Sequence, residues 1–266
     1  MALNMTFGHY FPASSPVHRL DGRAKSACAL VCMVATCFVS RPGQLALVTA
    51  FVLAVLALSR VPVSKVLSSM GPLFALFALT GLFNLFWVHT GDVVFSLGPV
   101  SVWSGGAWAA LLYATRLALV VCLGVLLTLT TTPTRLTDAF DALLSPLSLV
   151  GAPTHEWSMV LSLALRFVPT LADDTSAVMD AQRSRGSSLA EGTPLRRAQA
   201  FAGVLVPLLA MSLRHAEGLS RALDARSYEG GAARTRWHEQ RLSWPEAVAA
   251  AAVALLVAGL VALGMR

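Results

Sequence analysis

Apolar residues occur along the chain in five continuous runs. They cover residues 26–39, 44–58, 72–87, 107–131 and 247–264. The first two runs hold about 15 residues each, fewer than the roughly 20 that an upright membrane-spanning helix needs. Arg41-Pro42-Gly43 joins them, so these two runs predict a hairpin of short spans. The pattern as a whole predicts a bundle of five membrane-crossing helices.

Two long segments between the fourth and fifth runs change from apolar to charged along their length. Residues 157–172 and 198–213 form the apolar halves, interrupted by Arg166 and a few neutral polar groups. The charged residues that follow them are Asp173, Asp174, Asp180, Arg183 and Arg185 in the first segment, and Arg214, Glu217, Arg221, Asp224 and Arg226 in the second. Thr154 and Thr193-Pro194 are typical helix starts and Gly186 a typical stop, which predicts helices over about 155–186 and 194–228.

Each of these two predicted helices contains a proline, Pro169 in the first and Pro207 in the second. An internal proline removes a backbone hydrogen bond, so a kink is expected at each position. The apolar halves are too short for comfortable spans. We therefore expect them to lie in the membrane interface or to pack on the bundle.

The distribution of basic residues predicts the topology. Twelve of the 20 Lys and Arg residues lie between Arg135 and Arg241, whereas the loop 89–104 has none. Because cytoplasmic loops collect Lys and Arg, the N-terminus is expected inside and the C-terminus outside. The predicted organisation is a cytoplasmic segment over 1–25, a membrane bundle of about four spans over 26–131, a helical domain on the cytoplasmic side over 132–242 and a C-terminal membrane helix over 243–266.

The composition agrees with an integral membrane protein. Hydrophobic residues make up 56% of the chain and charged residues 13%, against about 25% charged in soluble domains. The net charge of +6 does not require a nucleic-acid partner, because aromatic residues do not alternate with the basic ones as stacking on bases would need. Four cysteines lie in apolar runs and are expected to be small buried hydrophobic residues: Cys28, Cys32, Cys37 and Cys122.

Candidate chemistry is sparse. Asp21-Gly22 resembles the start of the motif in membrane enzymes that transfer phospho-alcohols, but no further acidic residue follows before Asp92 to hold a metal ion. The six histidines fit no zinc spacing, and no phosphate-binding loop or hydrolase motif is present. Arg116 and Arg166 lie in apolar surroundings, where a functional role and a structural one are both open, with the structural role favoured. The sequence therefore predicts a protein that is not an enzyme and binds no metal.

Several motifs resemble the transmembrane T component of energy-coupling factor transporters. Two motifs, Gly8-His-Tyr and His18-Arg-Leu-Asp-Gly-Arg-Ala-Lys25, are similar to that family's N-terminal segment, and Thr132-Pro133 is similar to its next segment. Ala164–Leu171 is similar to the start of its coupling helices. The decisive resemblance is to the family's two Ala-Arg-Gly signatures. Here they read Ser184-Arg185-Gly186 and Ala225-Arg226-Ser227, so each keeps its arginine and departs at one small position.

The resemblance implies an all-α, polytopic membrane helical bundle with two long crossed coupling helices on the cytoplasmic side, within 132–242. Such a subunit of the prokaryotic plasma membrane would link two cytoplasmic ABC ATPases to a membrane S component that binds vitamins or other micronutrients. ATP and Mg²⁺ would be used by the ATPases, and this chain would bind no cofactor. A dedicated cobalt or nickel importer subunit and a self-contained permease are the alternatives, although a permease should show polar residues at mid-membrane.

The resemblance also assigns roles to residues. The two signatures would dock the ATPases, one each, because a planar guanidinium beside small residues can enter a groove and meet carboxylates. Four residues of the apolar halves would face the S component: Pro169, Ala202, Gly203 and Pro207.

Overall fold

A computed structural model describes residues 15–97, 100–144, 154–186, 193–228 and 244–265. The helices are α1 Pro16–Arg19, α2 Gly22–Cys37, α3 Pro42–Ser59, α4 Val63–Met70, α5 Phe74–Trp87, α6 Ser104–Thr130, α7 Pro133–Leu144, α8 Thr154–Ser184, α9 Pro194–Asp224 and α10 Trp244–Met265. A short 3-10 turn, Gly71–Leu73, joins α4 to α5. The described chain divides into a membrane unit, formed by α1–α7 and α10, and a helix pair, formed by α8 and α9.

Four helical stretches of the described residues are long and apolar enough to cross a membrane. They are Pro42–Ser59, Val63–Trp87, Ser104–Thr130 and Trp244–Met265, which confirms the predicted all-α membrane bundle. The remaining predicted crossing, 26–39, falls on α2, whose 16 residues extend only about 24 Å. The predicted start at residue 72 was also too late, because α4 continues into α5 through the 3-10 turn.

The predicted loop 89–104 contains a β-hairpin. Strands β1 Val93–Leu97 and β2 Val100–Trp103 are antiparallel, with Leu97 opposite Val100. The register shifts between Val93 and Phe95, as it does where a bulge adds a residue to one strand. The hairpin follows α5 and leads directly into α6, so it caps one end of these two membrane helices.

The membrane unit has two apolar clusters. Buried side chains of α2, α3, α6 and α10 form the larger one, and Val66, Met70 and Phe77 meet the end of α6 in the smaller one. Of the four cysteines that were expected to be buried, Cys32 is buried, Cys28 and Cys122 are half-buried, and Cys37 is exposed. Cys37 is the last residue of the short helix α2, where little packs around it.

Polar side chains inside the bundle bind backbone oxygens of neighbouring helices. The Arg116 guanidinium donates to Val39 O and lies over the Tyr113 ring, 5.1 Å from its centre. Gln44 Nε2 donates to Leu260 O at 2.9 Å, which ties the start of α3 to the end of α10. These contacts support the structural role that the sequence favoured for Arg116, because a hydrogen bond and a ring face both stabilise its guanidinium.

Candidate functional site

Helices α8 and α9 pack side by side and run in opposite directions. Gln182 Nε2, near the end of α8, donates to Gly203 O near the start of α9 at 2.9 Å. Tyr228 Oη, just beyond α9, contacts Met159 Sδ near the start of α8. Met159 and Gln182 are 23 residues apart, or about 35 Å along a helix. The end of each helix therefore lies beside the start of the other.

The antiparallel arrangement places the two signature arginines at opposite ends of the helix pair. Helix α8 ends at Ser184, directly before Arg185, and α9 ends at Asp224, two residues before Arg226. The predicted ends at 186 and 228 were thus slightly too late, and both arginines lie in the turns that follow the helices. The sequence did not predict that they would lie so far apart.

Both arginines are followed by a residue in the left-handed backbone region. Gly186 has φ +79° and Ser227 has φ +49°. Glycine adopts this conformation without a Cβ clash, whereas serine does so at a cost. Beyond Ser227, Tyr228 N donates to Leu223 O at 3.0 Å, the hydrogen bond that closes a Schellman C-cap. A left-handed residue thus follows each arginine, and the chain leaves the helical path directly after it.

The two guanidinium groups are available for a partner. Residues 184–186 and 225–227 are all exposed, and within the described part of the chain neither Arg185 nor Arg226 forms a side-chain hydrogen bond or ion pair. Nearby Arg183 differs, because its Nη1 lies 2.9 Å from Asp180 Oδ1 on the same helix. Each signature therefore presents one unpaired positive charge beside small residues.

The apolar halves of the pair also lie at opposite ends. Val160 of α8 is 64% exposed and Val206 of α9 is 66% exposed. Among the residues predicted to face a membrane partner, Pro169 and Ala202 are exposed and Gly203 and Pro207 are half-buried. Gly203 has a second role that the sequence did not reveal, because its carbonyl receives the Gln182 hydrogen bond. Both helices continue through their prolines.

A polar pair lies midway along the two helices. His215 Nδ1 is 3.7 Å from Asp174 Oδ2, and the Phe167 ring stacks on His215 with the ring centres 6.2 Å apart. Both polar atoms are buried, so the pair sits between the helices. No group of three metal-ligating side chains occurs in the described ranges. Because His215 of α9 contacts Asp174 and Phe167 of α8, these residues contribute to packing between the two helices.

The N-terminal motif builds a polar cluster in the membrane unit. Asp21 Oδ1 accepts from Arg23 N at 3.2 Å and caps α2, and Asp21 N donates to Glu246 Oε1 at 3.3 Å. Lys25 Nζ donates to Thr130 O at 2.7 Å at the end of α6. The aspartate and glycine that resembled an enzyme motif thus join helix ends.

Comparison with known proteins places these features in a family. The family described as CbiQ, cobalt transport protein, matches residues 13–237, from α1 to beyond α9. The chain belongs to this CbiQ/EcfT family. Energy-coupling factor transporter transmembrane proteins named EcfT from Streptococcus equi and Bacillus subtilis are 38% and 34% identical to it. The matches cover 90% and 96% of this chain and 88% and 95% of those relatives.

A third relative has a different length. A Bifidobacterium longum protein named as an ABC transporter ATP-binding protein is 46% identical over 95% of this chain, but the match spans only 32% of that protein. The CbiQ/EcfT relatives are transporter components of bacteria, and four stretches of this chain can cross a membrane. The chain is therefore a multi-pass plasma-membrane component of an energy-coupling factor transporter.

Proposed function

We propose that this chain is the scaffold that couples two cytoplasmic ATPases to a substrate-binding S component. One arginine signature docks each ATPase. The observation that carries the proposal is the position of Arg185 and Arg226, exposed, unpaired within the described chain and at opposite ends of one helix pair. Two separate proteins can reach these ends at the same time, because about 35 Å lies between them.

The chemistry of each docking site follows from its guanidinium. An arginine presents five N–H donors in a planar fork and remains charged, so it suits a groove lined by carboxylates and carbonyl oxygens. The exposed small residues around it, Ser184 and Gly186 in one turn and Ala225 and Ser227 in the other, allow close backbone approach. Hydrolysis of ATP with Mg²⁺ takes place in the ATPases, and closure of the two ATPases moves the helix ends relative to each other.

The Bifidobacterium longum relative supports a link to ATP-binding proteins. That protein is named for ATP binding, and about a third of its length matches nearly all of this chain. A membrane segment like this one and an ATP-binding function therefore occur in one polypeptide there. In the present protein, we expect the ATP-binding partners to be separate subunits that the two signatures recruit.

The exposed apolar faces of α8 and α9 form the surface for the S component. Trp157 and Val160 on α8 and Phe201 and Val206 on α9 are each at least half exposed. Small residues such as Ala202 and Gly203 allow close helix approach in a membrane. The S component binds the substrate, which is a vitamin or another micronutrient such as a cobalt or nickel ion.

The test is charge reversal at each signature. We expect Arg185→Glu or Arg226→Glu to weaken uptake strongly, and the double variant to lose co-purification of the ATPases in mild detergent. Arg196→Glu and Arg197→Glu are the matched controls. Both residues are exposed in the first turn of α9, and an acidic residue is tolerated at a helix start.

The outcomes separate the scaffold from a permease. Normal transport and normal ATPase recovery in the double variant would overturn the proposal and favour a self-contained permease. Loss of the ATPases in the control variants as well would show that net charge, and not the two turns, governs assembly. A crosslinker at position 203 should reach the S component; crosslinks to lipid alone would contradict the assignment of the apolar faces.

A further inference from the structure

An apolar cavity opens in the membrane unit at the end where α2 and α10 begin and α3 and α6 end. Its volume is about 660 Å³, within the range of sites that hold small organic ligands. The sequence predicts that this end of the bundle faces the cytoplasm. Side chains from all four helices and from α1 line the cavity, among them Val17, Cys28, Val55, Leu127 and Ala249.

One cation lies in this apolar lining. Lys25 is only 8% exposed, and of its three N–H donors one binds Thr130 O. The Thr130 hydroxyl donates to Leu126 O within α6. Among the described residues no carboxylate forms an ion pair with Lys25. Thr130 O is thus the hydrogen-bond acceptor of this ammonium group among the described residues, and Lys25 is part of the cavity lining.

The neighbouring charges leave Lys25 uncompensated. Arg135 is a charged neighbour of Lys25 and is itself positive, so it does not offset the charge of the ammonium group. Asp21 caps α2, and Glu246 accepts a hydrogen bond from Asp21 N. Neither carboxylate forms an ion pair with Lys25 in the described part of the chain. An anion at the mouth of the cavity would supply the missing charge.

The mouth lies at a depth that suits a lipid headgroup. Trp244, in the cavity lining, is 82% exposed at the start of α10, and tryptophan is typical of the membrane–water interface. The lining follows α10 from Trp244 to Val253, which is about 14 Å toward the bilayer interior. The cation near the interface and the apolar cavity below it match the phosphate of a lipid and the acyl chain below that phosphate.

We infer that this cavity holds one acyl chain of an anionic phospholipid whose phosphate accepts hydrogen bonds from the Lys25 ammonium group. Basic pockets between membrane helices on the cytoplasmic side bind anionic headgroups in the same way. The bound lipid fills the space between α2, α3, α6 and α10 and joins their ends. This site is distinct from the arginine turns and does not depend on ATPase docking.

The test uses the full chain in nanodiscs made from equal amounts of dioleoyl phosphatidylglycerol and dioleoyl phosphatidylcholine. Native mass spectrometry then counts the lipids that stay bound after release into mild detergent. We expect the wild-type chain to retain one phosphatidylglycerol in preference to phosphatidylcholine. Lys25→Gln should weaken phosphatidylglycerol retention by about tenfold or more, the size of a lost hydrogen bond to a charged group, and leave phosphatidylcholine unchanged.

A second variant tests the chain-binding part without touching Lys25. Ala249→Phe fills the cavity and should reduce retention of both lipids, whereas Ala250→Phe, one residue along α10 and outside the lining, should behave like the wild type. Lys65→Gln removes an exposed positive charge elsewhere and should also leave retention unchanged. Circular dichroism of each variant checks that the helices are retained.

Each result decides the inference. Wild-type retention no greater than that of Ala249→Phe overturns it, as does equal retention by Lys25→Gln and the wild type. Loss of phosphatidylglycerol in both Lys25→Gln and Ala249→Phe, with both controls unaffected, supports the site.

Discussion

The membrane unit and the helix pair use the same residue type in opposite ways. In the membrane unit, Arg116 donates to Val39 O and stacks on Tyr113. In the helix pair, Arg185 and Arg226 reach out from exposed turns and have no side-chain partner among the described residues. A paired arginine stabilises its own chain, whereas an unpaired arginine held by a defined backbone turn is suited to another protein. Intramolecular partners, more than residue identity, distinguish the two roles.

The largest expected effect is on ATPase association, and it is measured separately from the stability of the chain. Truncation of Arg185 or Arg226 to Ala should weaken ATPase association by about 2 to 5 kcal/mol, mostly through faster dissociation, because the partner carboxylate stays buried and unpaired. The melting temperature of the isolated chain should not change. Surface-immobilised chain and a soluble ATPase give the rates. A fall in chain stability with unaltered association would contradict the proposed docking role.

Arg116→Leu should show the reverse pattern. It removes hydrogen bonding to Val39 O and the contact with Tyr113, so we expect a loss of about 1 to 2 kcal/mol in bundle stability. Dissociation rates of the ATPases from the folded variant should remain those of the wild type. Thermal unfolding in detergent and the same immobilised assay measure both quantities.

The next largest effect is expected at Gly22, where α2 lies close to the backbone of α7. A Cβ at Gly22 would lie 2.8 Å from Arg135 O, whereas one at Gly71 meets nothing within 4 Å. Gly22→Ala should therefore destabilise the bundle by about 1 to 3 kcal/mol because backbone must shift, and Gly71→Ala is the matched control. Equal melting temperatures for the two variants would contradict the close contact between Gly22 of α2 and Arg135 of α7.

A smaller effect is expected between the two coupling helices. Gln182→Ala removes the hydrogen bond to Gly203 O and should cost about 1 kcal/mol. Hydrogen exchange of the backbone amides at the start of α9 measures this loss, and we expect exchange to be faster in the variant. Gln199→Ala, which changes an exposed amide side chain in the first part of α9, is the control and should leave exchange unchanged.

The smallest effect concerns the departure of this chain from the Ala-Arg-Gly signature. Ser227 has φ +49°, so Ser227→Gly removes left-handed strain but adds freedom to the unfolded chain, for a net gain of about 0.5 kcal/mol. Gly186→Ala should have the opposite sign, because Gly186 has φ +79°. Protection of the amide of Tyr228 from exchange reports the change at the second turn. A loss of protection in Ser227→Gly would contradict it.

Composition and periodicity were enough to predict the membrane helices and the two long mixed helices. They could not predict the direction in which α8 and α9 pair, because each polarity gradient is a property of one helix alone. The position of Lys25 was also out of reach. Its hydrogen-bond acceptor, Thr130 O, is a backbone atom 105 positions away, and every residue carries such an oxygen. The docking role of Arg185 and Arg226 was inferred from the family resemblance alone. The left-handed backbone of Gly186 and Ser227 explains why a small residue follows each arginine.

The equal length of α8 and α9, 31 residues each, has an evolutionary consequence. One inserted residue would rotate the following arginine by about 100° and advance it by about 1.5 Å. Four inserted residues would nearly restore its direction but shift it by about 6 Å, out of register with a partner that had not changed. Insertions should therefore be purged from these two helices and accumulate in the segment 187–192 between them, where they leave the spacing between the two arginines unaltered.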